Sequence, residues 1–144
     1  MATTRTTTPT NGSSTRSRRR TRVMAVVGAA LAALAVWAVA DPLAGVDLTV
    51  RQGTDASPQE VGPVAVVLVS VLAGLAGWAS LAVLEWLRPG AGRNWMILAV
   101  AMLVLSLTGP IAAGTTTASK VALAGMHLAV ATVLVPLLAR STRA

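Results

Sequence analysis

The chain has 144 residues, of which 54% are hydrophobic and 12% charged, with a formal net charge of +7 at pH 7 and no cysteine. A soluble domain carries about 25% charged residues, and mean hydropathy here is +0.69, so an ordinary water-soluble domain is excluded. Lacking cysteine, the chain has no disulfide, no thiolate nucleophile and no cysteine-based metal site.

Residues 1–22 are half Thr or Ser and hold six arginines. Such a segment buries too little surface to fold alone, so a disordered cytoplasmic tail is expected over 1–22. Arg16, Arg18, Arg19, Arg20 and Arg22 then lie against the inner leaflet, where each basic residue contributes about 1 kcal/mol toward anionic lipid. Nucleic-acid binding is not expected, because the cluster has no interleaved aromatic residues and the chain no soluble nucleic-acid-binding domain.

The first uncharged run is 23–40, "VMAVVGAALAALAVWAVA". Ala38-Val39-Ala40 before Asp41 also fits a signal-peptide cleavage site, but the run has 18 residues, against about 7–15 for a usual h-region. A retained span is the preferred reading. The loop 41–62 carries Asp41, Asp47, Asp55, Glu60 and one arginine. It reads as a polar connector, with partner docking as the alternative. In "VDLTVRQ" apolar residues alternate with polar ones, the pattern of a short strand or an interfacial patch. The acid spacing fails the calcium-loop pattern.

Three more runs follow, at 63–84, 95–113 and 121–139. With lengths of 18, 22, 19 and 19 residues, the four would be helices about 27–33 Å long, matching a hydrocarbon core of about 30 Å. Four runs cannot close a barrel, and an open sheet edge in lipid leaves backbone groups unpaired. The expected fold is therefore an all-α membrane protein, with four transmembrane helices over 23–139 in an up-down bundle joined by short connections, and a tail over 140–144.

If all four runs span, ten basic residues fall on one side: Arg5, Arg16, Arg18, Arg19, Arg20, Arg22, Arg88, Arg93, Arg140 and Arg143. Only Arg51 and Lys120 fall on the other. By the positive-inside rule both termini are cytoplasmic, in a multi-pass protein of the cell membrane. Trp37, Trp86 and Trp95 lie near span ends, as interfacial anchors do, and Trp78 lies deeper.

Small residues mark where helices approach closely. Ser70, Gly74 and Gly77 form one such stripe in the second span, and Gly125, Ala129, Thr132 and Pro136 another in the fourth. Pro110 removes the hydrogen bond to the Ser106 carbonyl and should kink or end its helix. Ser106 and Thr108 beside it carry hydroxyls that re-satisfy freed backbone groups. "LAGWASLAV" in the second span echoes "LAGMHLAV" in the fourth, as a duplicated two-helix hairpin would.

Chemistry is thin. His127, the one histidine, lies about 10 Å below the outer surface by helix rise and is expected to hydrogen-bond a neighbouring helix. Glu85 adjoins the inner end of the second span, about 20 Å from His127 along the bundle, so the two form no acid–base dyad. Its expected partner is Arg88, three residues on. No nucleophile elbow, zinc-protease, phosphate-loop or dinucleotide motif occurs, and no metal site or cofactor is expected.

The basic tail, "AVADPLAGVDLTVR", "GLAGWASLAVLEW", "LSLTGP" and "GMHLAVATVLVPLLAR" together resemble an uncharacterised family of small four-span membrane proteins from actinobacteria. The resemblance covers roughly residues 22–140. It implies fold and location, and assigns no role to His127 or Glu85.

The expected role is a non-enzymatic accessory or assembly subunit, partnered by the lipid bilayer and by itself or another membrane protein. The alternative is a small oligomeric transporter or channel with His127 lining the pathway and Pro110 shaping it. Small four-span exporters use a carboxylate inside the first helix, and 23–40 has none. An enzyme is disfavoured because no acid and base are paired.

Overall fold

In a computed structural model, described for residues 12–51, 53, 57–87 and 92–142, the chain forms four antiparallel helical spans. Helix α1 covers Gly12–Ala38 and runs into a five-residue π-helical turn, Val39–Leu43. Strands β1 (Thr49–Val50) and β2 (Gln59–Glu60) pair antiparallel, Thr49 opposite Glu60. The second span is α2 (Pro63–Leu87). The third is α3 (Gly92–Ser106) with α4 (Thr108–Ala113), and the fourth is α5 (Thr117–Ser141). All four are long and apolar enough to cross a membrane.

Helix α1 starts about three turns before its apolar run. The tail expected over 1–22 is thus helical from Gly12, and 1–11 lie outside the described residues. Extending a formed helix needs no new nucleus, and arginine is a good helix former. At the other end Pro42 has no N–H to donate, so the turn widens until Ala44 N–H reaches Val39 O at 2.9 Å. Gly45 then reverses the chain with φ +64°, a conformation that glycine adopts without a Cβ clash.

In lipid the spans associate by close packing rather than by hydrophobic exclusion. Helix α1 does this with alanines. Ala25, Ala29 and Ala33, four residues apart on one face, are 0%, 0% and 1% exposed. They face α2 and α5, forming two core clusters. The inner one, on the side of the bundle that carries the start of α1 and the end of α5, joins Ala25, Val26 and Ala29 to Leu81, Trp95, Leu134 and Leu138. The outer one joins Ala33 to Leu48, Val66, Leu123 and Met126.

The third span is peripheral. In its most apolar stretch 6% of residues are buried, against 28% in the first span. Its anchor is Trp95, which is 2% exposed. The Trp95 indole N–H is shared between Ser80 Oγ at 3.0 Å and Gly77 O at 3.2 Å on α2. Trp95 is therefore a core residue rather than the interfacial anchor its position suggests. Trp37 is likewise half-buried, its Nε1–H donating to Val61 O at 2.8 Å. Of the three near span ends, Trp86 keeps an exposed ring.

The third span breaks at Leu107, one turn before Pro110, as expected of a missing proline N–H. Ser106 Oγ donates to Leu103 O at 2.9 Å and Thr108 Oγ1 to Leu105 O at 2.7 Å, so the hydroxyls at the break are satisfied within the helix. Pro110 itself is buried.

The loop 41–62 is more than a connector. Leu48 is 1% exposed inside the outer core. Val50 bridges Gly114, and Arg51 N–H donates to Ala113 O at 2.8 Å. Ser119 Oγ donates to Asp47 O at 2.7 Å, and the Thr49 and Thr115 hydroxyls bond each other. The strand expected in "VDLTVRQ" thus caps the α4–α5 turn.

Candidate functional site

Ionisable groups at membrane depth resolve into two places. The first is the inner end of the bundle, where Arg22 of α1, Glu85 of α2 and Ser141 of α5 meet. One guanidinium nitrogen of Arg22 donates to both Glu85 oxygens, each at 2.8 Å. Its Nε–H donates to Ser141 Oγ at 3.1 Å, and Ser141 passes its own proton to Leu138 O at 2.7 Å. The side chains of Arg22 and Glu85 are 11% and 30% exposed, and Ser141 is 1% exposed. One side chain thereby ties three helices at one level.

This corrects one expectation. Glu85 is paired with Arg22, 63 positions away; its expected partner Arg88 lies outside the described residues. Arg22 in turn is not the lipid-surface contact expected of it, because its guanidinium turns inward to the Glu85 carboxylate. A charge at this depth is better matched by an opposite charge than by solvent. The signal was in the sequence: Arg22 immediately precedes one span and Glu85 immediately follows the next. Antiparallel spans bring those two ends together.

The second place is His127, half-buried in the outer half of α5. Its Nδ1 lies 2.8 Å from Leu123 O, one turn earlier on the same helix. A carbonyl only accepts, so Nδ1 carries the hydrogen, and in the neutral ring Nε2 is the acceptor. The bond expected to a neighbouring helix is thus made within α5, to the carbonyl one turn earlier. From His127 to Ser141 the helix rises about 21 Å, so the ring is far from the Arg22–Glu85 pair. Among the described residues no group of three or more His, Asp or Glu is placed to hold a metal ion.

The small residues serve packing, along several seams rather than one. A Cβ on Gly74 would lie 3.0 Å from Val26 Cγ1, so Gly74 admits α1. A Cβ on Gly77 would meet Leu134 Cδ2 at 3.3 Å, so Gly77 admits α5. Ser70 is buried on α2. Gly125 faces Val36 of α1 at an ordinary 3.7 Å, while Thr132 and Pro136 of the same proposed stripe are exposed. The glycines of the echoed segments therefore meet different partners, Gly77 on α5 and Gly125 on α1. Sequence reading missed the alanine face of α1, although its spacing of four was visible.

Six more of the described arginines gather at the same inner end. Arg16, Arg18, Arg19 and Arg20 are exposed on the helical extension of α1, Arg93 on the first turn of α3, and Arg140 on the last turn of α5. A Cβ on Gly92 would lie 2.7 Å from Thr142 Oγ1, so the start of α3 closes directly on the end of α5.

A family model described as a family of unknown function (DUF6069) matches residues 13–144. The chain belongs to this family. The match takes in all four spans and the arginine-rich extension of α1, so the bundle and its basic end are both within the family's extent. No curated protein and no solved structure matches the chain.

Proposed function

We propose that this family member is a non-enzymatic accessory or assembly subunit of an actinobacterial cell membrane, with both termini in the cytoplasm. The observation that carries this reading is the third span. It is held at one end by Trp95 and the Gly92–Thr142 seam and at the other by the buried Pro110 and the Arg51–Ala113 bond, and its outward face presents Ile97, Val100, Met102, Val104, Leu105 and Ile111, all exposed. A span bound so lightly to its own bundle has the surface to pack against another transmembrane helix. Non-enzymatic action is supported by the internal pairing of the intramembrane polar groups, Arg22 with Glu85 and His127 with its own helix. Orientation is supported by the basic bias. Retention of the first span is supported by its central place, since losing it would uncover Gly74, Gly125 and Glu85 together.

The test is a crosslinked pull-down from native membranes with a C-terminal tag and quantitative mass spectrometry. A stoichiometric second membrane protein, crosslinked through α3, is the expected result. Recovery of the chain alone, in multiples of itself, would sink the subunit reading. Terminal reporter fusions should both be cytoplasmic.

A further inference from the structure

We propose that the basic end of the bundle binds anionic phospholipid headgroups through a surface assembled from three helices, with Arg93 of α3 and Arg140 of α5 on either side of one seam and Arg19 and Arg20 of α1 beside it. Among the described residues at this end Glu85 is the sole acid, and both its oxygens are taken by Arg22. Arg19, Arg20, Arg93 and Arg140 are exposed and form no ion pair with a described residue. This end is therefore strongly positive, and its internal countercharge is spent.

Place decides the partner. Arg93 precedes the core residue Trp95 by two positions, and Arg140 directly follows the buried Ala139. Both stand where apolar span gives way to polar residues, the level of lipid phosphates. The Gly92–Thr142 contact holds the two helix ends together. Arg22 reaches Ser141, so α1 stands against the same end of α5, with Arg19 one turn further out. A guanidinium presents a planar fork that matches a phosphodiester, and basic sites between spans are a recognised setting for such headgroups. Arg16 lies about 9 Å beyond Arg22 along α1, which is about one Debye length at physiological salt. The fold therefore divides the arginines into a near set and a far one, a distinction that a disordered tail would lack.

The inference does not depend on the accessory-subunit reading, since it requires only that the chain spans a bilayer. The test uses the full chain in nanodiscs of phosphatidylcholine with and without phosphatidylglycerol, and native mass spectrometry of retained lipid. Preferential retention of phosphatidylglycerol is expected, falling about tenfold in the Arg93→Gln, Arg140→Gln double variant and less than about twofold in Arg16→Gln. The Arg93→Lys, Arg140→Lys pair should fall between the native chain and the Gln pair, because the charge remains and the fork is lost. Arg140→Gln alone is the second variant should the double one fold poorly. Equal retention of both lipids, or an unchanged preference in the Gln variants, would overturn the proposal. So would displacement of the lipid by equimolar inorganic phosphate or an acidic peptide, which would mark a site for soluble anions.

Discussion

Cutting the Arg22–Glu85 tie is the most direct test of how the bundle is closed. Glu85→Ala leaves a guanidinium that is 11% exposed with only Ser141 to answer it. Breaking a fully buried pair on one side costs about 3–5 kcal/mol, whereas an exposed pair contributes about 0–1 kcal/mol. Glu85 is 30% exposed, so the cost lies between these limits, at about 2 kcal/mol. Arg22→Met should cost a similar amount by stranding the carboxylate. The double variant Arg22→Met, Glu85→Leu removes both charges and should recover most of the loss, because an apolar pair of similar volume replaces an ion pair at little net cost. The assay is unfolding in detergent followed by tryptophan fluorescence, with the coupling read from the double-mutant cycle. Trp95 sits in the inner core cluster near the tie and reports on it. Single losses that simply add in the double variant, or singles that change stability by less than about 0.5 kcal/mol, would refute the account of Arg22 as a tie between helices.

Three further outcomes follow from the packing. Gly74→Val should destabilise the bundle by about 1–3 kcal/mol, since even a Cβ falls 3.0 Å from Val26, while Gly109→Ala, with nothing within 4 Å, should be neutral or stabilising in the same melt. Trp95→Ala should cost about 3–5 kcal/mol and should raise hydrogen exchange in α3 selectively, because the indole is the main buried contact of that span; uniform exchange across all four spans would contradict the peripheral place of α3. His127→Phe should cost less than about 1 kcal/mol, as its one bond goes to its own helix, and a larger loss would mean that the ring serves a contact beyond α5.

The two readings of His127 and Glu85 show where sequence reading works and where it stops. Hydropathy put each in the right span and at the right level, because helix rise converts residue count into depth. It could not choose their partners. For Glu85 the nearest cation in sequence was Arg88, and local spacing favoured it. Arg88 lies outside the described residues, and the partner seen among those described is Arg22, brought there by the antiparallel pairing of α1 and α2. For His127 the reverse happened: a partner was sought across helices, and the ring found a carbonyl one turn below. Trp95 followed the same logic as Glu85. Its distance from the span end suggested the interface, and only the approach of α2 supplied Ser80 and Gly77 as acceptors.

What the sequence by itself determined is the set of four apolar runs, the polar ends and the break ahead of Pro110. Each is a local matter of transfer from water, helix length or a missing N–H, legible without knowing any neighbour. The tertiary structure alone decided which small residues meet which helix, that α1 extends back to Gly12, that the loop 41–62 caps the α4–α5 turn, and that Arg22 meets Glu85 at the inner end. These depend on distances between segments far apart in the chain. In lipid, where apolar side chains lose little by staying exposed to it, such distances are set by close packing and by the matching of the few charges present.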